Sequence, residues 1–338
     1  MPCLTRRSLL AAGAMLLAQS SGAQSPPFKT TTLVVPYPAG GLSDTIARVV
    51  ERPLSKALGQ QVLVENIGGV GGAIAAQRVL AAPPDGQMLY QGSPNELILS
   101  PMVLKAVKYG PEDWRMLQII GSFPLAVLAR KGLPANTIDE LVVLARKADA
   151  EGKPLTYASV GVGSLYHLLG AHFAELIGVR MTHVPYKGGA PVMQDLGGEA
   201  VDLSFIVVGE QQVGMADAGR LKFLATLAPS GVVEAAFLKG IPSINDSKSV
   251  RDFAFNTWTG YFVRKDTPEG IVQQLNRALA AAMGDPASKA QLEKIGGAVP
   301  PMMSLEAAAK FYAGETARFR ALSTDGRRDA LVKAKADR

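Results

Sequence analysis

Short apolar runs alternate along the chain with stretches in which apolar residues recur every three or four positions. The runs that predict strands are TTLVV, QVLVEN and GQMLYQGS, because they are apolar or β-branched and are bounded by turn residues. The periodic stretches that predict helices are SDTIARVVERPLSKALG and GAIAAQRVLAAPPDG, and both end at glycine. Strands that alternate with helices in this way are typical of an α/β fold with mostly parallel sheets.

Two distant parts of the chain share one order of features. Each runs from a strand through a turn of glycine and serine into a helix, a second strand and a Gly-Gly pair. Ser43 and Ser164 lie 121 residues apart, and Gly59 and Gly178 lie 119 apart. Any two βαβ units look alike, but the shared Gly-Gly pair and the near-constant offset favour two related domains. Their turns would then face each other across a cleft, where α/β proteins commonly bind ligands.

The N-terminus has the features of an export signal. TRRSLL supplies positive charge, the apolar stretch LLAAGAMLLA is too short to span a bilayer, and SGA precedes Gln24. We therefore predict a signal peptide at residues 1–23 and a periplasmic mature protein. Arg6 and Arg7 are typical of the twin-arginine route, with a general secretory signal as the alternative.

Charge and cysteine content exclude several classes of protein. The net charge of +6 falls to +4 without residues 1–23, because 33 basic residues then face 29 acidic ones. This balance does not indicate nucleic-acid binding. The single cysteine, Cys3, lies inside the predicted signal. The mature chain is therefore expected to have no disulfide, thiolate nucleophile or cysteine metal site.

The sequence gives little support to catalysis. His167 and His172 are five residues apart and do not share a helix face, and His183 lies in a strand pattern. No metal site and no cofactor are predicted, since the chain lacks HExxH, a P-loop and a complete dinucleotide fingerprint. Ser164 lies near His167 without forming a nucleophile elbow, so a helix cap is the favoured interpretation of this serine.

Binding has stronger support, from the turn PYPAGGLSD. A turn of small residues that opens a helix presents backbone N–H groups and the positive end of the helix dipole, so it holds an anion without a cationic side chain. The expected donors are the amides of Ala39, Gly40 and Gly41 and the hydroxyl of Ser43. SVGVGS supplies a matching set. One such turn favours simple strand-to-helix punctuation, whereas two equivalent turns favour a carboxylate held directly or through water.

Seven motifs in order, from about Thr31 to about Arg320, resemble the extracytoplasmic receptors of tripartite tricarboxylate transporters, the Bug family. They are VVPYPAGGLSDTIAR, VENIGGVGGAIAAQRV, PDGQMLY, YASVGVGSLYHLLG, VPYKGGAPVMQDLGGEAVDLSF, AGRLKFLATLAP and WTGYFVRKDTPEGIVQQLN. The resemblance implies a two-lobed periplasmic binding protein of type II, the Venus-flytrap class, with a mostly parallel sheet flanked by helices in each lobe. It also implies that water bridges one carboxylate between the two turns.

The resemblance and the two turns together give the predicted ligand-binding residues. They are Tyr37, Ala39, Gly40, Gly41, Ser43, Asp44, Ser93, Asn95, Ser159, Gly161, Gly163, Ser164, His167, Tyr186, Gly209 and Glu210. Three of them have an alternative role: His167 orients the loop, Asp44 complements the helix dipole, and Ser164 caps a helix.

Two polar clusters depart from the family pattern. Asn95 and Glu96 stand where relatives often have small or neutral residues, and Glu210–Gln212 form an unusual polar group. Such side chains either read the far end of a ligand or are solvated loop residues, and the sequence does not decide between these interpretations.

The expected organisation places parts of the first lobe on both sides of the second. The predicted boundaries are 24–123 for the first part of lobe 1, 124–252 for lobe 2, 253–325 for the return of lobe 1 and 326–338 for a C-terminal tail. The expected function is a monomeric receptor that binds a small organic carboxylate and delivers it to integral membrane transporter subunits. The alternatives are a ligand-sensing subunit without transport and a secreted serine hydrolase that uses Ser164 and His167.

Overall fold

A computed structural model describes residues 30–324. The predicted signal peptide with Cys3 and the twin-arginine pair, and the predicted tail, lie outside the described residues. Within that range the strands form two five-stranded sheets. The first sheet contains β1 (Thr31–Val35), β2 (Val62–Asn66), β3 (Met88–Gly92), β4 (Trp114–Phe123) and β10 (Thr257–Arg264). The second contains β5 (Leu125–Arg130), β6 (Thr156–Ser159), β7 (Thr182–Pro185), β8 (Leu203–Val207) and β9 (Leu221–Thr226).

Helices flank both sheets. They are α1 (Leu42–Leu58), α2 (Ala73–Ala81), α3 (Ser100–Val103), α4 (Ile138–Ala150), α5 (Leu165–Leu176), α6 (Gly189–Gly197), α7 (Glu210–Asp217), α8 (Glu269–Gly284), α9 (Pro286–Lys294) and α10 (Leu305–Thr324). Short 3₁₀ turns cover Val70–Gly72, Pro111–Asp113, Ala236–Leu238 and Ile244–Asp246, and a π-helical turn covers Asn95–Leu99. The predicted α/β class with two lobes is therefore confirmed.

Both sheets have the same plan and are mixed. The first runs in the order β2-β1-β3-β10-β4, and the second in the order β7-β6-β8-β5-β9. Three neighbouring strands are parallel in each sheet, and the fourth strand, β10 or β5, is antiparallel to both of its neighbours. Four of the five strands in each sheet therefore run in one direction, in agreement with the mostly parallel sheets expected from the sequence, and one strand runs against them.

The chain passes between the sheets at Pro124, directly after β4, and returns between β9 and β10. Near the return, the ring of Phe253 lies 6.0 Å from the ring of Phe205 on β8 and 6.2 Å from that of Phe173 on α5. Phe253 therefore packs in the core of the second lobe. The boundary predicted between residues 252 and 253 assigns Phe253 to the return of lobe 1, and it stays a prediction. The ring contacts of Phe253 given above are with residues of the second lobe.

The first helix shows how local sequence positions the site. Ile46, Val50 and Leu54 recur every four residues on one buried face of α1, which packs with β1 and α8 in a shared apolar core. Gly59 ends the helix in the left-handed region at φ 65°, a conformation that glycine adopts without a steric penalty. The packing of this face and the short connection from Val35 to Leu42 place the N-terminus of α1 near the carboxyl end of β1.

In the second lobe, α5 lies against β6 at a position that only glycine fits. A Cβ atom built on Gly170 would lie 2.2 Å from the ring of Tyr157. Gly170→Ala should therefore destabilise the protein by about 1–3 kcal/mol through overpacking. The matched control is Gly314→Ala in α10, where the added methyl meets open space and should stabilise by about 0.4–1 kcal/mol. Urea unfolding of both variants checks the opposite signs, and two changes of the same sign would contradict this packing.

Candidate ligand-binding site

The turn after β1 uses one of its own carboxylates to hold its shape. Gly40 has a φ of +84°, and its N–H donates to Asp44 Oδ2 at 3.0 Å. Desolvation raises the pKa of Asp44, but the hydrogen bonds from Gly40 and from Arg48 outweigh it and hold the pKa below its ordinary value. The Gly40 amide, which the sequence suggested as a ligand donor, is thus occupied within the turn.

The helix that follows this turn begins without a side-chain cap. Gly41 is the N-cap residue of α1, and no side chain bonds to the first helical amides. Leu42 and Ser43 form the first turn and line a cavity between the lobes. Because the first N–H groups of a helix have no partner within the helix, this end of α1 presents donors and a positive partial charge to the cavity.

The turn after β6 is organised differently from the turn after β1. The Gly161 N–H donates to Ser159 Oγ, and the Gly163 N–H donates to His167 Nδ1, each at 3.1 Å. At the start of α5, the Leu165 N–H donates to Asn95 Oδ1 of the first lobe at 2.7 Å. The donors expected to bind ligand in this turn therefore have partners within the protein.

Ser164 makes the hydrogen bonds of a helix cap. Its Oγ donates to the Gly161 carbonyl at 2.8 Å and accepts from the His167 N–H at 3.3 Å. The His167 ring stacks on His183 with 4.0 Å between ring centroids. Burial, and then the charge of His167, lower the pKa of His183 to about 3. This pattern favours capping and ring packing over the nucleophile of the hydrolase alternative.

A buried π-helical turn after β3 carries Asn95 and Glu96. Asn95 is 2% exposed and Glu96 is 1% exposed, so neither is a solvated loop residue. Glu96 Oε1 accepts from the Ser93 N–H at 2.8 Å. Glu96 Oε2 accepts from the Ser93 hydroxyl at 2.8 Å and from the Tyr37 hydroxyl at 3.2 Å. Burial raises the pKa of Glu96 to about 7 against these hydrogen bonds.

These elements enclose a cavity of about 30 Å³ between the lobes. Its lining residues are Tyr37, Leu42, Ser43, Ile46, Gln91, Ser93, Asn95, Glu96, Phe123, Tyr166, Val207, Thr257 and Thr259. The volume holds one or two water molecules, so an organic acid requires the lobes to separate before it enters. Two larger clefts, of about 590 and 1010 Å³, have no lining residue from the second sheet and its helices. Their lining residues either precede β5 or lie at the end of β10 and after it.

Two lining side chains have polar atoms that make no hydrogen bond with any of the described residues. Gln91 donates from Nε2 to the Ser43 carbonyl at 2.8 Å, whereas its Oε1 is buried without a partner. Thr257 Oγ1 on β10 is also buried without a partner. A buried polar group that lacks a hydrogen bond costs about 1–3 kcal/mol. Both atoms therefore indicate a place where a ligand or water completes the structure.

Four of the predicted site residues line the cavity: Tyr37, Ser43, Ser93 and Asn95. The others surround it in the two turns or lie beyond it, and these are Ala39, Gly40, Gly41, Asp44, Ser159, Gly161, Gly163, Ser164, His167, Tyr186, Gly209 and Glu210. The Tyr186 hydroxyl donates to Asp195 at 2.6 Å. Glu210 is exposed at the start of α7, so the structure does not bring it to the cavity.

Several lining residues were not predicted from the sequence. Gln91 is a polar residue inside an otherwise apolar strand, and that pattern was a usable signal. Thr257 and Thr259 belong to β10, which returns from the second lobe, so their approach depends on the topology. Tyr166 and Val207 reach the cavity from the second lobe and read locally as core residues.

The closed arrangement brings backbone against backbone. A Cβ atom built on Gly161 would lie 3.1 Å from the Gly71 amide nitrogen in the first lobe, and one on Gly41 would lie 3.8 Å from the Ala190 nitrogen in the second.

Across residues 30–324, no three His, Cys, Asp or Glu side chains group in a way that could hold a metal ion. In the same range, no helix has the length and apolar character to cross a membrane.

Comparison with known proteins adds to this geometry. The profile of a family described as the tripartite tricarboxylate transporter family receptor matches residues 46–325. The chain belongs to this family of receptors. A relative from Agrobacterium vitis, the UPF0065 protein in the TAR-I ttuE-ttuC' intergenic region, is 34% identical over 273 residues, which cover 80% of this chain and 74% of the relative.

Two solved structures resemble this tripartite tricarboxylate transporter receptor closely. The periplasmic binding protein BugD is 29% identical with a TM-score of 0.79, and the match covers 88% of this chain and 97% of BugD. MatC from Rhodopseudomonas palustris, solved with bound malate, is 27% identical with a TM-score of 0.79, and the match covers 90% and 99% of the two chains. The resemblance to the Bug family expected from the sequence is confirmed.

The buried acid of this receptor should make its stability depend on pH. The Glu96 carboxyl keeps its proton up to a pKa of about 7 in the folded state, against an ordinary value of 4.5. The folded state thus binds more protons at Glu96 between these values, so the contribution of Glu96 to the free energy of unfolding falls as pH rises through this window, by about 3 kcal/mol in total. The lowered pKa of His183 acts in the opposite direction below its ordinary value of 6.5. Urea unfolding of the wild type and of Glu96→Gln at pH 5, 6, 7 and 8 therefore measures the Glu96 contribution as the difference between the two curves.

Glu96→Gln should remove that component, because the amide keeps the shape of the side chain and does not titrate. Glu306→Gln, at an exposed position of α10, is the control for the loss of one carboxyl. Parallel curves for the wild type and Glu96→Gln would show that Glu96 does not hold its proton in the folded state.

Proposed function

We propose that this protein is a periplasmic, monomeric receptor that binds a small organic carboxylate between its lobes and delivers it to tripartite tricarboxylate-type membrane subunits. The observation that carries the proposal is the uncapped N-terminus of α1, which opens onto an interlobe cavity. Thr257 Oγ1, a buried hydroxyl without a hydrogen-bond partner among the described residues, belongs to a side chain that lines the same cavity, and a hydroxyl can donate to a carboxylate or to a water that bridges to it.

The physical basis is the recognition of an anion by backbone groups. Two N–H groups in the first turn of α1, those of Leu42 and Ser43, are the donors for one carboxylate oxygen or for a water that bridges to it. The helix dipole favours the negative charge without a basic side chain. No cationic residue lines the cavity, so selectivity comes from geometry and hydrogen bonding.

The relatives support this class of ligand and partner. MatC is described with bound malate, a small carboxylate, and the matching profile describes a receptor of a transporter family. A ligand that binds between the lobes favours the closed arrangement over the open one. A membrane partner can then distinguish the loaded receptor by its closed shape.

The direct test is a binding screen with the mature chain, residues 24–338. Thermal shift is measured with mono-, di- and tricarboxylates at pH 6.5 and at pH 8.5, and each acid is paired with its uncharged amide as a matched control. A ligand at about 100 times its dissociation constant adds roughly 2.7 kcal/mol, which raises the midpoint by a few degrees. Equal shifts for acids and amides, or no shift with any acid, would reject the carboxylate receptor.

Closure of the lobes on ligand should depend on Gly161. Its φ is +141°, and an added Cβ would lie 3.1 Å from Gly71 N and 3.2 Å from Gly71 Cα, which are backbone atoms of the opposite lobe. Gly161→Ala should therefore weaken binding by at least about ten-fold, because the closed state cannot form without a shift of backbone.

Gly178→Ala is the matched control for the Gly161 variant. Gly178 follows α5 at a φ of +72°, and its added methyl group meets open space, so this variant places alanine at a positive φ without an interlobe contact. Titration calorimetry with the acid that binds most tightly compares the two. If both variants bind equally well, closure does not bring these turns together.

A further inference from the structure

A line of hydrogen bonds runs from the second lobe to Glu96, and every donor in it points toward the carboxylate. The Leu165 N–H donates to Asn95 Oδ1 at 2.7 Å, and Asn95 Nδ2 donates to the Tyr37 hydroxyl at 3.2 Å. The Tyr37 hydroxyl then donates to Glu96 Oε2 at 3.2 Å. Glu96 in its charged form is therefore the terminal acceptor of a chain that begins at the N-terminus of α5.

Within residues 30–324, no charged partner compensates Glu96. The titratable groups that act on it are phenols from five segments: Tyr37 after β1, Tyr90 on β3, Tyr109 before β4, Tyr166 on α5 and Tyr312 on α10. Burial raises the pKa of each phenol, so all of them are neutral near pH 7. Among the ion pairs of the described residues, none includes Glu96.

The cavity therefore carries two different kinds of polar group. The N-terminus of α1 offers donors at Leu42 and Ser43, beside which the Gln91 amide is held by its hydrogen bond to the Ser43 carbonyl, whereas Glu96 offers a buried carboxylate. A second carboxylate beside an ionised Glu96 would bring two like charges together in a buried site, which is strongly unfavourable. A neutral or cationic group that donates a hydrogen bond to the Glu96 carboxylate would instead be favoured there.

We propose that Glu96 is the specificity-determining residue of this cleft, and that it selects ligands with one carboxylate and a hydrogen-bond donor, such as an amide, hydroxyl or ammonium, at the opposite end. This inference rests on the proposed function, since it assigns the second end of a ligand whose first end is a carboxylate. A dicarboxylate enters only together with a proton on Glu96.

The proton changes the direction of the hydrogen bonds as well as the charge. When Oε2 of Glu96 carries a proton, it donates to Tyr37, and the Tyr37 hydroxyl then has its own proton available for a ligand oxygen. The pKa of Glu96 is about 7, so a ligand that requires the protonated form binds about 25-fold more tightly at pH 6.5 than at pH 8.5.

The test compares dicarboxylates with their half-amides by titration calorimetry. The probes are succinate, glutarate and adipate against succinamate, glutaramate and adipamate, with the wild type and Glu96→Gln, at pH 6.5 and 8.5. For the wild type at pH 8.5, we expect the half-amide to bind at least ten-fold more tightly than its diacid. The diacid should gain about 25-fold on going to pH 6.5, whereas the half-amide, which binds the ionised form of Glu96, should lose no more than about four-fold.

Glu96→Gln separates the role of this residue from the ionisation of the ligand. In this variant the diacid and the half-amide should bind within three-fold of each other at both values of pH. Diacids that bind the wild type at pH 8.5 as tightly as half-amides would overturn this inference and leave the carboxylate receptor standing. Selectivity that is unchanged in Glu96→Gln would overturn it as well. Failure of all six probes, together with a screen in which no acid shifts the midpoint, would overturn both proposals.

Discussion

The cleft depends on a buried carboxyl group that no cation in the described part of the chain compensates. Glu96 is 1% exposed and is held by the Ser93 amide, the Ser93 hydroxyl and the Tyr37 hydroxyl. Through Tyr37 and Asn95 the same network reaches the first amide of α5 in the opposite lobe. A polar network in a low dielectric rigidifies its members when all of them are satisfied. The charge state of one residue in the first lobe is therefore coupled to the contact between the lobes.

The two turns that look equivalent in the sequence have different roles in the structure. In the first turn, Asp44 orders the loop from within the helix, and the N-terminus of α1 stays uncapped. In the second turn, the side chains of Ser159, Ser164 and His167 accept hydrogen bonds from backbone N–H groups. Asn95 accepts a hydrogen bond from the first N–H group of α5. The repeat of strand, turn and helix predicts where the turns lie. It does not predict which N–H groups remain available, since the partners of those groups come from side chains on other elements.

The predictable part of the fold is the local part. The predicted strands at β1, β2 and β3 and the helix at α1 agree with the structure to within one or two residues, because apolar periodicity and glycine stops act over short distances. The antiparallel direction of β10 and β5 is a property of how the chain returns across each sheet, and a short window of sequence does not encode it. Thr257 and Thr259 reach the cavity on β10, so this part of the site was out of reach of sequence reasoning.

The residue type alone does not reveal the role of Glu96. A glutamate in the segment SPNELILSP suits a solvated loop or a ligand contact equally well. Burial decides between them, and it arises because the π-helical turn packs beneath Tyr37, Tyr90 and Tyr109. An acid placed there disfavours a second negative charge in the cavity while the helix dipole of α1 favours a first. The cleft thus holds two opposed electrostatic preferences within one small volume, and this opposition determines which end of a ligand goes where.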